Sequence, residues 1–174
     1  MYTTPSSIDF LRPNGFVFRV DSMPNTNFSC QAVTMPGLTL GSADQKTPFT
    51  DLPHPGDKLV FSPLNIRFII TEDMGNYSEI MKWLVGLGFP SAHEEYATMI
   101  RQRERNNPST SRNSIERTNA SLFILSSSNQ PVKTVEFVDI FPVSINVDEF
   151  DLTTTSLEYM TASATFLYQK FDLK

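Results

Sequence analysis

The sequence predicts a mainly β protein (α+β), an antiparallel β-sandwich or barrel with one flanking α-helix. Three observations point there. Apolar and polar residues alternate strictly in several short segments of the 174-residue chain, the period of a half-buried strand. Turn residues rather than helical patterns separate most neighbouring segments, which implies antiparallel pairing. Strong helical periodicity is confined to residues 76–86.

Residues 1–14 read as an N-terminal arm broken by Pro5 and Pro13, with Ile8, Phe10 and Leu11 as anchors. Gly15–Asp21 is a strand with Phe16, Phe18 and Val20 on one face. Met23–Asn27 reads as a turn, because Pro and Asn favour turn geometries. Phe28–Met35 is then expected to return as the second strand of a hairpin. Leu38–Asp57 is long and punctuated by Gly41, Pro48, Pro53, Pro55 and Gly56. Connections beyond about 12–15 residues are uncommon and usually functional, so this segment is expected to be an extended hairpin or loop that touches something outside the core. Lys58–Thr71 reads as a strand, with Leu64, Ile66, Phe68 and Ile70 alternating against polar neighbours.

Asn76 is placed to cap the helix, and Glu79 completes a capping-box pattern. Tyr77, Ile80, Met81, Leu84 and Leu87 fall on one face, and Gly86, Gly88 and Pro90 end the helix. A weaker helix is expected over 92–103 and a polar loop over 106–119. Strands follow at 120–125 and 132–141, with a partly extended 145–152 and a last strand at 157–173. The whole, 1–174, reads as one domain.

A chain that is 40% apolar and 11% aromatic can build a core, which excludes a disordered protein. Net charge is −5, which disfavours tight nucleic-acid binding. Cys30 is the only cysteine, so no internal disulfide or cysteine-based zinc site is expected. The first residues show no basic run or apolar stretch of a secretion leader. No stretch approaches the ~20 apolar residues of a membrane helix, so no membrane insertion is expected.

Chemistry-bearing patterns are sparse. His93-Glu94-Glu95 offers metal-ligand types but no second His at helical spacing. Glu72-Asp73 and Asp148-Glu149 are adjacent pairs, whose members point to opposite faces of a strand. Catalysis would need a distant convergence, such as His54 with Asp57 or His93 with Glu72. Trp83 and Tyr77 could stack on a sugar in a ligand- or carbohydrate-binding β-sandwich module, the alternative reading. No enzyme activity and no cofactor are expected. Charge is more informative. Residues 101–117 carry Arg101, Arg103, Arg105, Arg112 and Arg117 against Glu104 and Glu116. Six acids and no base lie between Glu136 and Glu158. Complementary patches of this kind steer self-association, so Arg101, Arg103, Arg105 and Arg112 are candidates to dock on Asp148, Glu149 and Asp151.

The order of features carries a resemblance. Phe28-Ser29-Cys30-Gln31-Ala32-Val33-Thr34-Met35-Pro36-Gly37 precedes the long excursion. Gly56-Asp57-Lys58, the strand Leu64–Thr71 closing in Glu72-Asp73, and the helix bearing Trp83 follow. This resembles the tail tube proteins of contractile-tailed bacteriophages, which are similar in turn to type VI secretion and tailocin tubes. Anchors cover roughly residues 10–90, and 120–174 match by strand pattern; 91–119 look like an insertion. The resemblance implies a homo-oligomer, a hexameric ring that stacks into the inner tube or starts it at the baseplate hub. It implies a sheath and a tape measure protein as partners, DNA as non-specific passing cargo, and a place in the virion after assembly in the host cytoplasm. It places Leu38, Leu40, Phe49, Leu52, His54 and Asp57 at a contact between subunits. It also implies a lumen of acidic and neutral groups, which would not hold phosphates.

Overall fold

The computed structural model describes residues 11–88, 93–106, 116–151, 153 and 158–174, with only the backbone course at 24, 28, 93 and 102–106. The elements run β1 (Phe16–Val20), α1 (Pro24–Ser29), β2 (Cys30–Thr34), β3 (Leu38–Lys46), β4 (Asp51–Phe61), β5 (Leu64–Ile69), α2 (Gly75–Gly88), α3 (His93–Asn106), β6 (Thr118–Leu125), β7 (Pro131–Val147), β8 (Thr161–Leu167) and β9 (Lys170–Leu173). All strand pairs are antiparallel, so the mainly β class holds.

Seven strands form one sheet in the order β1-β6-β7-β8-β5-β2, with β9 added to β7. The 17 residues of β7 serve two half-sheets. Its first part pairs β6 and β9, its second part β8. Between the parts, Asp139 takes φ 57, the left-handed region that few non-glycine residues adopt. Its N–H donates to Asn119 Oδ1 at 3.3 Å, and the register slips opposite it, between Thr118 and Ala120. Such a bulge bends a strand. The buried faces of both half-sheets share one core, with Phe18, Phe68, Phe137 and Phe166 all at 2% exposure or less. Phe61, Phe137, Tyr168 and Phe171 add a cluster of edge-on rings at one end.

Several boundaries differ from expectation, each for a physical reason. The turn at Met23–Asn27 is a short helix. β1 and β2 are not a hairpin: β1 pairs β6 and β2 pairs β5. Asn27 ends β1 instead, accepting from Val20 N–H at 2.7 Å and donating to Val20 C=O at 3.2 Å. That side chain does the work of a neighbouring strand. Lys58–Thr71 is split, because Pro63 interrupts it after β4. The segments at 132–141 and 145–152 join within β7; Pro142 is tolerated where β7 has become an edge strand. The last strand is divided into β8 and β9.

Helix α2 begins one residue early. Asn76 is fully buried inside its first turn and not a cap. Its side-chain amide donates to Ile69 C=O at 2.6 Å and to Ser29 Oγ at 2.9 Å, and its oxygen accepts from Thr71 N–H at 3.3 Å. No capping box forms; Glu79 turns to Thr26 Oγ1 at 3.3 Å. Met81 points to solvent, and Trp83 takes its place in the core. α3 packs on α2. Expectations for residues 1–10, Pro90, Pro108 and Arg112 lie outside the described residues, as do those for the side chains of His93, Arg103 and Arg105.

Candidate functional site

β3 and β4 form a two-stranded ribbon apart from the main sheet. At about 3.3 Å per residue, the nine residues of β3 project about 30 Å. Every residue of β3 is exposed. The ribbon is fixed at its base, where the Phe61 ring meets Tyr168 and Phe171 and Ser62 C=O accepts from Tyr168 Oη at 2.7 Å. Its tip is tied by Thr47, whose hydroxyl bonds Thr50 C=O and accepts from Thr50 N–H. That turn presents Phe49 at 98% exposure. Leu38, Leu40, Leu52, Leu59 and Val60 are also exposed, by 46–60%. That is a large apolar surface for one projection to expose.

The ribbon carries a bulge where Leu40 faces Leu59 but Ser42 faces Pro55. A Cβ on Gly56 would stand 2.5 Å from Gly41 C=O, so glycine alone fits that close crossing. Asp57 sits exposed in this bulge. His54 bonds Gln45 across the ribbon at 3.0 Å, not Asp57. The six expected contact residues thus share one projection.

The second half-sheet, β2-β5-β8 and the end of β7, offers another surface. Its outward face carries two rows in register. One row is Ala32, Arg67, Ser163 and Asn146; the other is Thr34, Asn65, Thr165 and Ser144. Thr165 Oγ1 donates to Asn65 Oδ1 at 2.8 Å. These rows are uncharged but for Arg67. The first half-sheet is different: Arg19, Glu136, Asp172 and Lys174 crowd its outward side, with Lys174 paired to Glu136 at 2.5 Å. Both outer edges of the second half-sheet, β2 and Phe141–Val147, lack a neighbouring strand among the described residues.

Asp148 and Glu149 are exposed just past β7, and Asp151 is exposed close by. Asp148 is held by the Thr161 hydroxyl, and Asp151 accepts from Thr153 N–H at 2.8 Å. Of the arginines expected to face them, Arg101 is exposed on α3. A cleft of about 940 Å³ lies between α1, α2 and α3, bordered by Glu79, Lys82, Glu94 and Met99.

The alternative sites that fall on described side chains are not assembled. Trp83 is 3% exposed, its ring 6.3 Å from Phe166, and its Nε1–H donates to Glu116 C=O at 3.1 Å. It is a core residue, not a platform for a sugar. Cys30 is half buried, and burial pushes its thiol up to about 11. Among the described residues, no three His, Cys, Asp or Glu side chains converge to hold a metal. No described helix is long and apolar enough to cross a membrane.

The profile of the phage tail tube protein family matches residues 5–174. No curated protein matches by sequence. Among solved structures, the anti-feeding prophage tube-terminating cap is similar at TM-score 0.64 and 9% identity, over 99% of this chain and 95% of that one. The sheath-tube complex of the extracellular contractile injection system PVC, in its extended state, matches at 0.63 and 12%, over 99% of both chains. The anti-feeding prophage baseplate, 6-fold symmetrised, matches at 0.58 and 15%, over 100% and 97%. At these identities the likeness is one of fold.

Proposed function

The chain belongs to the phage tail tube protein family, and from that premise we propose that it is the ring subunit of an inner tail tube. The whole of 1–174 acts as one tube domain, with 1–14 as its arm and 91–119 as an insertion. The 6-fold symmetrised assembly among the similar folds supports a hexameric ring. Rings stack into the tube or start it at the baseplate hub. A sheath surrounds them, a tape measure protein fills the bore first, and DNA leaves through it. The protein works in the virion tail, is assembled in the host cytoplasm, and its role is structural rather than enzymatic.

One observation carries this reading: the β3–β4 ribbon puts Phe49 about 30 Å out, with nothing among the described residues to bury it. Burying a phenylalanine side chain contributes about 1.5–3 kcal/mol. Leu38, Leu40, Phe49, Leu52, His54 and Asp57 are therefore the contact with a neighbouring subunit. The unpaired edges β2 and Phe141–Val147 extend one barrel from copy to copy, which removes the hazard of open edges. The face between those edges lines the bore. Its two described rows are uncharged but for Arg67, with Asp148 one row on.

Light scattering and negative-stain microscopy of the purified protein test the proposal. Rings or tubes with a central hole are expected. Phe49→Asp is expected to keep the melting temperature and far-ultraviolet spectrum while losing stacked rings. Normal polymerisation of that variant would remove the ribbon from the interface.

A further inference from the structure

Among the described residues, the two rows of the bore-lining face hold a single ionic group, Arg67, in the middle of β5. Its neighbours across the strands are Ala32 and Ser163, and Asn146 completes the row. Arg67 is exposed and makes no ion pair among the described residues. Asp148, two residues beyond Asn146, is an acid on the same side one row on, where the Thr161 hydroxyl holds it. On the other half-sheet, by contrast, cations and acids are mixed and Lys174 is paired with Glu136.

We infer that Arg67 is a phosphate-binding site, and that ring symmetry repeats it into one cationic belt inside the bore. This rests on the tube reading above. The occupant is the backbone of double-stranded nucleic acid. A guanidinium presents a planar fork of N–H donors that matches phosphate oxygens two at a time. Ser163, Asn146, Thr34 and Asn65 add neutral hydrogen-bonding groups around it. Phosphate contacts carry no sequence information, which suits a conduit for any sequence. An unfolded polypeptide would call for aromatic or larger apolar footholds, and these two rows offer only the methyls of Ala32, Thr34 and Thr165. One cation per subunit on a protein of net charge −5 makes a weak, salt-sensitive contact. The belt centres and slows the duplex as it passes; it does not anchor it.

The test uses assembled rings or tubes of the full chain and a short fluorescent DNA duplex, followed by co-sedimentation at several salt concentrations. Wild-type assemblies are expected to retain the duplex at low salt. Arg67→Gln is expected to form the same rings, retain the duplex roughly tenfold less well, and flatten the dependence on salt. Arg67→Lys should fall between them. Arg19→Gln, on the other half-sheet, should behave as wild type. Equal retention by wild type and R67Q, with intact rings, overturns the inference alone. Equal losses in R19Q and R67Q also overturn it, since the attraction is then general to the surface. R67Q rings that dissociate where wild-type rings survive make Arg67 an inter-subunit ion-pair partner instead. Wild-type protein that forms no rings overturns both this inference and the tube reading.

Discussion

Glu79 links solution pH to the fold. Its carboxylate sits half buried between α1 and α2, and burial raises its pKa more than the Thr26 hydrogen bond lowers it. The native state therefore binds this proton more tightly than the unfolded chain. Stability contributed by the protonated form is present below the ordinary carboxylate range and is lost as pH rises through the raised value. Melting temperatures of wild type and Glu79→Gln should diverge as pH rises from about 4 to about 7, with the variant relatively more stable at the upper end. A constant gap would show that Glu79 is no more strained native than unfolded. Cys30 gives a second test at this scale. With its thiol pushed up to about 11, it should react far more slowly with iodoacetamide at pH 8 than a free cysteine, and match it after unfolding in guanidinium. Asn76 marks where single residues outrun the sequence. Its spacing to Glu79 is that of a capping box, yet its amide is bound to Ile69, Thr71 and Ser29. Those partners come from other elements, and no local pattern announces them.

At the scale of elements, the α2–α3 contact depends on Gly86. A Cβ there would lie 2.6–2.9 Å from Met99 side-chain atoms, including its own unyielding Cβ. Gly86→Ala should cost about 1–2 kcal/mol in a urea melt, overpacking outweighing the gain in helix propensity. An unchanged midpoint would show that the helices part without cost. The strands themselves were largely legible: the alternations in β1 and β5 bury Phe18, Val20, Leu64, Ile66 and Phe68, as expected. The pairing was not. β1 finds β6 across a hundred residues of chain, and nothing in either segment encodes that meeting. Pro142 made β7 look interrupted, because a proline argues against a central strand; it sits where β7 has lost a neighbour. The ribbon was half legible. Its prolines and glycines signalled an excursion, but the β4 pairing runs on to Phe61, past the Gly56 crossing.

At the scale of the whole molecule, charge is segregated. The acids Asp148, Glu149 and Asp151 gather after β7, and Arg101 is exposed on α3. If Arg101, Arg103, Arg105 and Arg112 meet those acids on a neighbouring copy, assembly should weaken between about 0.05 and 0.5 M salt. The triple variant D148N, E149Q, D151N should assemble less at low salt and lose that dependence. Turbidity or sedimentation reads both, and salt-insensitive assembly counts against charge docking. The docking partners were legible only as a count of signs along the chain, since which surfaces oppose each other is a property of the assembly rather than of one subunit.

The ribbon also bears on when a tube can begin. Two strands without a third layer are marginal in water, so a free subunit samples many ribbon postures. Joining a finished ring requires ordering one ribbon against a surface already formed. Two free copies must each be ordered before either has a seat. If rings stack through the ribbon, elongation should be fast, spontaneous initiation slow, and a pool of subunits should wait in a lag phase for a template. If that projection binds rings together as proposed, it also acts as a timer, delaying polymer until a starting platform exists.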